Sequence, residues 1–266
     1  MSTGDSLFSL HGRRALVTGG SGPLGSVLAD ALASHGCDVI ISDVSADACR
    51  DTAEAIARRH GVKAVGIASD LLSSEGTSRL VESIEGPLDI LVNNAAFTGT
   101  SGVPGYAVPF EEQSDEAFEL ASSLNLRAPF SLARQLAPKL AQSAGGSIIN
   151  VSSIYGIVGP NMGLYEGTRM GNPAAYGATK GGIVQLTRYL STVLAPKVRV
   201  NAFAPGGIAR GQADSFTQRY EKLTPLGRMA TEDDFRGVVV WLASDASRYV
   251  TGQTIAVDGG FMMLGS

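Results

Sequence analysis

Cysteine and histidine are scarce in this chain, and their scarcity excludes a good deal. The 266 residues contain two cysteines and three histidines. Cys37 and Cys49 are too few for a disulfide framework and lack metal-ligand spacing, so both read as reduced packing residues. No histidine lies beyond His60, which argues against a histidine-based triad and a histidine-rich zinc site; no metal is expected. His35-Gly36 and His60-Gly61 each read as the end of a helix, where a cation near the last carbonyls and a following glycine are favourable.

Basic runs are also missing, and with a net charge of -4 nucleic acid is not expected as a main partner. No stretch approaches the ~18 apolar residues of a membrane span, and the segment before Arg14 lacks a basic stretch followed by an apolar one. A soluble, cytoplasmic protein is the expectation. Hydrophobic residues make up 44% and charged residues 17% of the chain, enough apolar material for a sizeable core and no sign of disorder.

What is present is an alternation of short apolar strands and helices. Arg14 to Thr18 reads as a strand ending in GGSGPLG, followed by helical periodicity over Ser26 to Ser34. Such a glycine turn lets the backbone approach a pyrophosphate at the positive end of a helix. A second strand, Asp38 to Ser42, ends at Asp43, about 20 residues past the glycines, where a dinucleotide fold needs an acceptor for the adenosine ribose hydroxyls. A 2'-phosphate would meet like charge there, and no Arg or Lys occupies the glycine loop or directly follows Asp43. That favours NAD over NADP. The competing reading of Asp43 is that it only helps begin the helix at Ser45.

The pattern repeats with a helix near Ala46 to Arg59, a strand Val62 to Ala68 ending at Asp70, a helix near Ser74 to Ser83, and a strand Leu88 to Val92 ending in Asn93-Asn94-Ala95-Ala96. A Gly/Pro-rich loop covers 97–113. A long helix is expected over Ser114 to Gln142, bent by Pro129 and Pro138, with Asn125 among apolar neighbours. A buried asparagine needs partners, structural or catalytic, and sequence does not separate the two. Strand Ser147 to Val151 delivers Ser152 and Ser153. Strands Val198 to Phe203 and Thr254 to Val257 and a helix from Thr231 to Ser244 complete the pattern. It predicts an α/β fold of the Rossmann type, a doubly wound, seven-stranded parallel sheet with helices on both faces. A single domain over 1–266 is expected, with a substrate-side insertion at 154–173 and a mobile cover at 207–224.

Chemistry concentrates in Pro173 to Gly182, PAAYGATKGG. Positions i and i+4 share one helical face, so Tyr176 and Lys180 point the same way, and the ammonium is expected to lower a phenol pKa that is ordinarily about 10. A tyrosine so placed can serve as general acid or base. Tyr165 and Arg169 repeat this spacing inside the insertion, but Gly163, Gly167 and Gly171 argue against a helix there.

These residues together, TGGSGPLG, Asp43, Asp70-Leu71, NNAA, Asn125, Ser153, Tyr176 with Lys180, PGGI at Pro205 to Ile208 and VDGG at Val257 to Gly260, resemble the short-chain dehydrogenase/reductase family in its single-domain branch. The resemblance implies that Tyr176 exchanges a proton with the substrate oxygen, that Lys180 tunes the tyrosine and holds the nicotinamide ribose, that Ser153 binds the reacting oxygen, and that Asn125 completes a water-linked proton relay. It implies that Gly19, Ser21, Gly22 and Leu24 line the pyrophosphate, Asp43 the adenosine ribose, Asp70 and Leu71 the adenine, with Asn94 near the adenosine half and Ile208 near the nicotinamide. A homotetramer is the family expectation.

The chain departs from the family pattern at Pro23, at Ala96, and at Ala209-Arg210-Gly211, where a threonine is usual. Ser153 and Tyr176 also stand 23 positions apart, farther than is usual, and the inserted PNMGLYEGTRMGNP loosely resembles relatives tied to surface-glycan or sugar-acid biosynthesis. The expected function is NAD-dependent interconversion of a secondary alcohol and a ketone on a small polar, sugar-like substrate. Arg169 and Arg210 near the mouth suggest an anionic group on it, the competing reading being two solvated surface charges. The alternatives are a catalytically silent NAD sensor or scaffold, a 3-oxoacyl reductase, and a sugar epimerase or dehydratase, for whose added domain VDGG near the end leaves no room.

Overall fold

The computed structural model describes residues 7–99 and 101–264; the remainder of the expected 1–266 span, including the first six residues of the segment read for a leader, lies outside the described residues. Seven strands form one parallel sheet: β1 (Arg14–Thr18), β2 (Asp38–Asp43), β3 (Ala64–Ala68), β4 (Ile90–Asn93), β5 (Gly146–Val151), β6 (Val198–Pro205) and β7 (Thr254–Val257). Their spatial order is β3-β2-β1-β4-β5-β6-β7. The chain runs outward from β1 to β3 and then crosses back to place β4 on the other side of β1. That reversal opens a crevice beyond the carboxyl ends of β1 and β4, where such sheets bind ligands.

Strand alternation divides the core in two. Leu16, Ile40, Leu91, Ile148 and Val200 pack on one face against α3 (Ser74–Ser83), α5 (Ala128–Leu140) and α6 (Ala174–Val193). Val17, Ile41, Val92 and Ile149 pack on the other against α1 (Pro23–Ser34), α2 (Ala46–His60) and α8 (Arg236–Ala243). Runs apolar on both faces are what a doubly covered sheet requires. Each of these side chains is fully out of water, contributing roughly 1.5–3 kcal/mol apiece by burial.

Two helical expectations change in detail. The segment read as one helix from Ser114 to Gln142 is α4 (Asp115–Ser122), a wide π turn at Ser123–Arg127, and α5. Pro129 has no N–H to return to the carbonyl of Asn125 four residues earlier, so the turn there is free to widen. The helix read over Thr231 to Ser244 begins as a tight turn, Glu232–Phe235, locked by a reciprocal cap between Thr231 and Asp234, before α8. The helix ends fall where the histidines suggested: His35 caps α1, and Gly61 follows α2 in a left-handed conformation at φ 69°.

Outside the cleft, Asp30 is buried, and Arg59, His60 and Arg236 reach it at 2.8, 2.8 and 2.6 Å. Burial raises its carboxyl pKa, but the bonds from Arg236 and His60 outweigh that and hold it below the usual value. One carboxylate thereby ties α1, α2 and the start of α8 together.

Candidate active site

A single elongated cleft of about 1020 Å³ runs along the carboxyl edge of the sheet, from Gly19, Asp43 and Asp70 at one end to Tyr165, Arg169 and Arg210 at the other. At the first end, Gly19 is left-handed (φ +61°), and a Cβ on Gly25 would stand 2.0 Å from the Gly19 carbonyl. Only glycine allows the turn to fold back this tightly. Gly22 caps α1 with no side-chain hydrogen bond, and Pro23 supplies the first helical position. The first-turn N–H groups have no intrahelical partners and open on the cleft beside Gly22, Pro23, Leu24 and Gly25, an arrangement suited to a pyrophosphate. Pro23 thus leaves the turn intact.

Asp43 accepts from Ser21 Oγ at 2.6 Å, from the Ser21 amide at 3.3 Å and from the Val44 amide at 2.8 Å. The sequence placed Ser21 along the pyrophosphate; its hydroxyl instead orients the carboxylate, because the turn carries it across to the end of β2. Asn94 donates from Nδ2 to the carbonyls of Thr18 and Gly19 at 3.0 and 3.1 Å, bracing the glycine turn. Asp70 accepts from the Leu72 amide at 2.9 Å, and Leu71 is buried but lines the cleft. Buried Ser42 Oγ has no hydrogen-bond partner, and Ser42 lines the same end. Backbone cradle, oriented carboxylate and unpartnered hydroxyl together fit a dinucleotide.

The middle of the cleft holds Ser153, Tyr176 and Lys180. Ser153 leaves β5 in extended conformation, its hydroxyl accepting from the Tyr155 amide at 3.2 Å. Tyr176 and Lys180 share one face of α6, with Lys180 Nζ 5.8 Å from the Tyr176 ring centroid. The expectation that the ammonium acidifies the phenol is not what the geometry favours. Lys180 turns its Nζ to the Val151 carbonyl at 2.8 Å, and burial lowers its pKa to about 8. Burial likewise raises the Tyr176 phenol; a hydrogen bond with Ser153 and the charge of Arg210 pull it back. The reason is desolvation: both groups are removed from water, which disfavours each one's charged form.

Asn125 sits in the π turn, buried, with its Oδ1 accepting from the Phe97 amide at 2.8 Å and its Nδ2 donating to the Phe97 carbonyl and to Thr179 Oγ1, both at 3.2 Å. It does not line the cleft. Ile208 does, beside Pro205, Gly206 and Gly207, and its carbonyl accepts from Gln212 Nε2 at 2.6 Å.

Over the far end, the insertion and the cover interlock. Tight turns at Ile154–Gly156 and Met162–Tyr165 shape the insertion, and α7 (Asp214–Lys222) forms within the cover. Rings run in contact from Tyr165 to Phe216 (5.3 Å), Tyr220 (5.9 Å) and Phe261 (4.3 Å). Arg219 donates to the carbonyls of Leu164 and Glu166 at 2.9 and 2.6 Å. Sequence reasoning missed this small core. Phe216 and Tyr220 stand four apart amid polar residues, the amphipathic signal that would have revealed it. Tyr165 lies in a turn rather than a helix, so its resemblance to the Tyr176 motif is accidental.

Among the described residues no cluster of metal-ligating side chains occurs and no helix is long and apolar enough to cross a membrane. A parallel sheet with a dinucleotide cradle at its switch point and a tyrosine grouped with a serine and a buried lysine defines an oxidoreductase site built around a nicotinamide cofactor. Comparison with known proteins narrows this. A family model described as enoyl-(acyl carrier protein) reductase matches residues 21–262. The 3-oxoacyl-[acyl-carrier-protein] reductase FabG of Aquifex aeolicus is 34% identical, over 94% of this chain and 98% of its own. The gluconate 5-dehydrogenase of Gluconobacter oxydans is also 34% identical, over 96% of both. A crystal structure of gluconate 5-dehydrogenase from Burkholderia cenocepacia in complex with NADP and tartrate superposes with a TM-score of 0.86 at 28% identity, covering 98% of this chain and 99% of that one. The chain belongs to the short-chain dehydrogenase/reductase family.

Proposed function

We propose that the protein interconverts a secondary alcohol and a ketone on a small polar, sugar-like substrate, using NAD(H), as one catalytic unit in which the insertion and cover form the substrate side. The observation that carries this is the placement of Tyr176, with Ser153 beside it, midway along a cleft whose cofactor end presents Asp43 and whose other end is lined by phenols and guanidinium groups. The bound nicotinamide would supply or accept the hydride. Tyr176 Oη gives its proton to the carbonyl oxygen in reduction and takes it from the alcohol in oxidation; Ser153 Oγ holds that oxygen in place. Lys180 orients the nicotinamide ribose, and Asn125, through the backbone it grips, supports a water-linked path for proton exchange.

NAD is favoured because Asp43 is held in place by three donors and no cationic side chain accompanies it in the glycine turn. Relatives crystallised with NADP make the choice a direct test. Wild type should show kcat/KM at least tenfold higher with NADH than with NADPH, and Asp43→Asn should narrow that ratio, since a 2'-phosphate meets one less negative charge. Equal use of both cofactors by wild type would refute the assignment. Tyr176→Phe should lose at least about a thousandfold in kcat while keeping cofactor affinity, measured by fluorescence of bound NADH; retained turnover removes Tyr176 from its role.

A second reading, 3-oxoacyl reduction, draws on the FabG relatives. Acetoacetyl thioester assayed beside oxo-polyols discriminates the two. A cytoplasmic homotetramer completes the proposal, checked by fractionation and by mass in solution.

A further inference from the structure

The insertion carries polar groups that the hydride chemistry does not use. Tyr155 and Tyr165 meet hydroxyl to hydroxyl at 3.1 Å, and Asn172 Nδ2 donates to the Tyr165 oxygen at 3.3 Å. All three residues line the cleft. Two phenols carry two protons, and only one lies between the two oxygens. With the amide of Asn172 also donating, the second phenolic proton has no protein acceptor among the described residues. Both rings are half-buried on the wall of the cleft, so that proton faces the space a ligand would fill. Burial holds Tyr155 protonated well above neutral pH, and Tyr155 is near enough to Tyr176 for the Tyr176 charge to add to that. The spare proton therefore sits beside the catalytic phenol.

The cations at this end differ in commitment. Arg210 Nε is bonded to Glu232 at 2.8 Å, and Lys180, bonded to the Val151 carbonyl, belongs to the cofactor side of the cleft. Arg169, on the same insertion as the phenol pair, lines the cleft with no hydrogen bond or ion pair to any described residue. One uncommitted guanidinium suits one carboxylate, which it can bind through two parallel bonds. A phosphate, with close to two charges, would call for more.

We infer that the insertion is a recognition site for a compact hydroxy-carboxylate, an aldonate-like acid, with Arg169 on the carboxylate and the Tyr155–Tyr165 pair donating to a hydroxyl near the reacting carbon. This deepens the proposed reaction and rests on it for turnover, but the binding site stands apart from the chemistry. Tyr165 Oη donates to Tyr155 and its ring stays braced against Phe216 when that hydroxyl is removed, so Tyr165→Phe deletes the bond that orients the remaining Tyr155 proton.

Two measurements test the inference. In turnover, wild type, Arg169→Gln and Tyr165→Phe are assayed with D-gluconate, its neutral alditol D-sorbitol, D-gluconate 6-phosphate and, in reduction, acetoacetyl thioester. Wild type should prefer gluconate, and Arg169→Gln should lower the gluconate-to-sorbitol ratio of kcat/KM about tenfold or more. Tyr165→Phe should raise KM for gluconate more than it lowers kcat. Preference for the phosphate or the thioester, or an unchanged ratio in Arg169→Gln, overturns it. In binding, titration calorimetry follows gluconate into the protein saturated with NADH, independent of catalysis. A Kd about tenfold weaker in Arg169→Gln supports the site even if no alcohol is turned over, in which case the reaction assigned above is what fails. Equal Kd values, or no binding by wild type, overturn the site even if sorbitol or the thioester is a substrate.

Discussion

Replacing Lys180 by methionine should destroy activity and, at neutral pH, make the fold more stable. The ammonium is 4% exposed, and burial takes its pKa from 10.5 to about 8. At about 1.36 kcal/mol for each pH unit separating the two values, carrying the charge into the fold costs ~3 kcal/mol below pH 8. Against this stands the bond from Nζ to the Val151 carbonyl, whose loss leaves a buried acceptor unpaired at roughly 1–2 kcal/mol. Methionine matches the stem and adapts to irregular space, so packing should change little. The balance is a gain of ~1–2 kcal/mol at pH 7. Between pH 8 and 10.5 the unfolded chain holds the lysine proton and the folded one does not, so wild-type stability rises relative to the variant with pH. The variant's advantage should therefore shrink across that window and reverse near its top. Urea unfolding of both proteins without cofactor, at pH 7, 8.5 and 9.5, measures the difference directly. A variant destabilised by more than about 1 kcal/mol at pH 7, or a difference that does not move with pH, refutes the account.

Ser153→Ala removes an interaction that lowers the Tyr176 pKa, so the acidic limb of the kcat/KM profile for alcohol oxidation, where activity rises as the phenolate forms, should move to higher pH; a limb that stays or moves down contradicts the assignment. Asp30→Ala strands two guanidinium groups and the His60 ring and should cost ~3 kcal/mol in urea unfolding at pH 7. The Asp30 carboxyl is held below 3.8, so its contribution is complete above that value and is lost as pH falls below it. Acid unfolding of wild type and variant should converge there; a constant gap would show that charge is not the cause.

The alternation of apolar runs and glycine turns made the sheet readable, because strands buried on both faces and helix-capping glycines leave strong local patterns. Tyr176 and Lys180 were readable as neighbours for the same reason: helical spacing alone puts them on one face. What Lys180 does there was not. Its partner, the Val151 carbonyl, lies 29 positions away, and the direction of both pKa values follows from burial that no local spacing encodes. Ser21 was assigned by its place in a motif, yet its hydroxyl answers to Asp43 across the β1–β2 junction. The aromatic chain from Tyr165 to Phe261 joins three segments far apart in sequence, each too polar or too short to declare a core by itself.

Asn125 offers Phe97 an acceptor for its N–H and a donor for its C=O, as the main chain of an adjoining strand would. The ladder of β4 ends at Asn93, and beyond it this carboxamide stands in for a strand neighbour, with the Tyr106 hydroxyl at 3.4 Å from the same carbonyl. The cleft floor at Phe97 is therefore held by a side chain whose two ends are chemically unlike. Aspartate would keep the size but set an acceptor against the Phe97 carbonyl, and the floor would lose its registration with Tyr176 while every residue touching substrate remained in place.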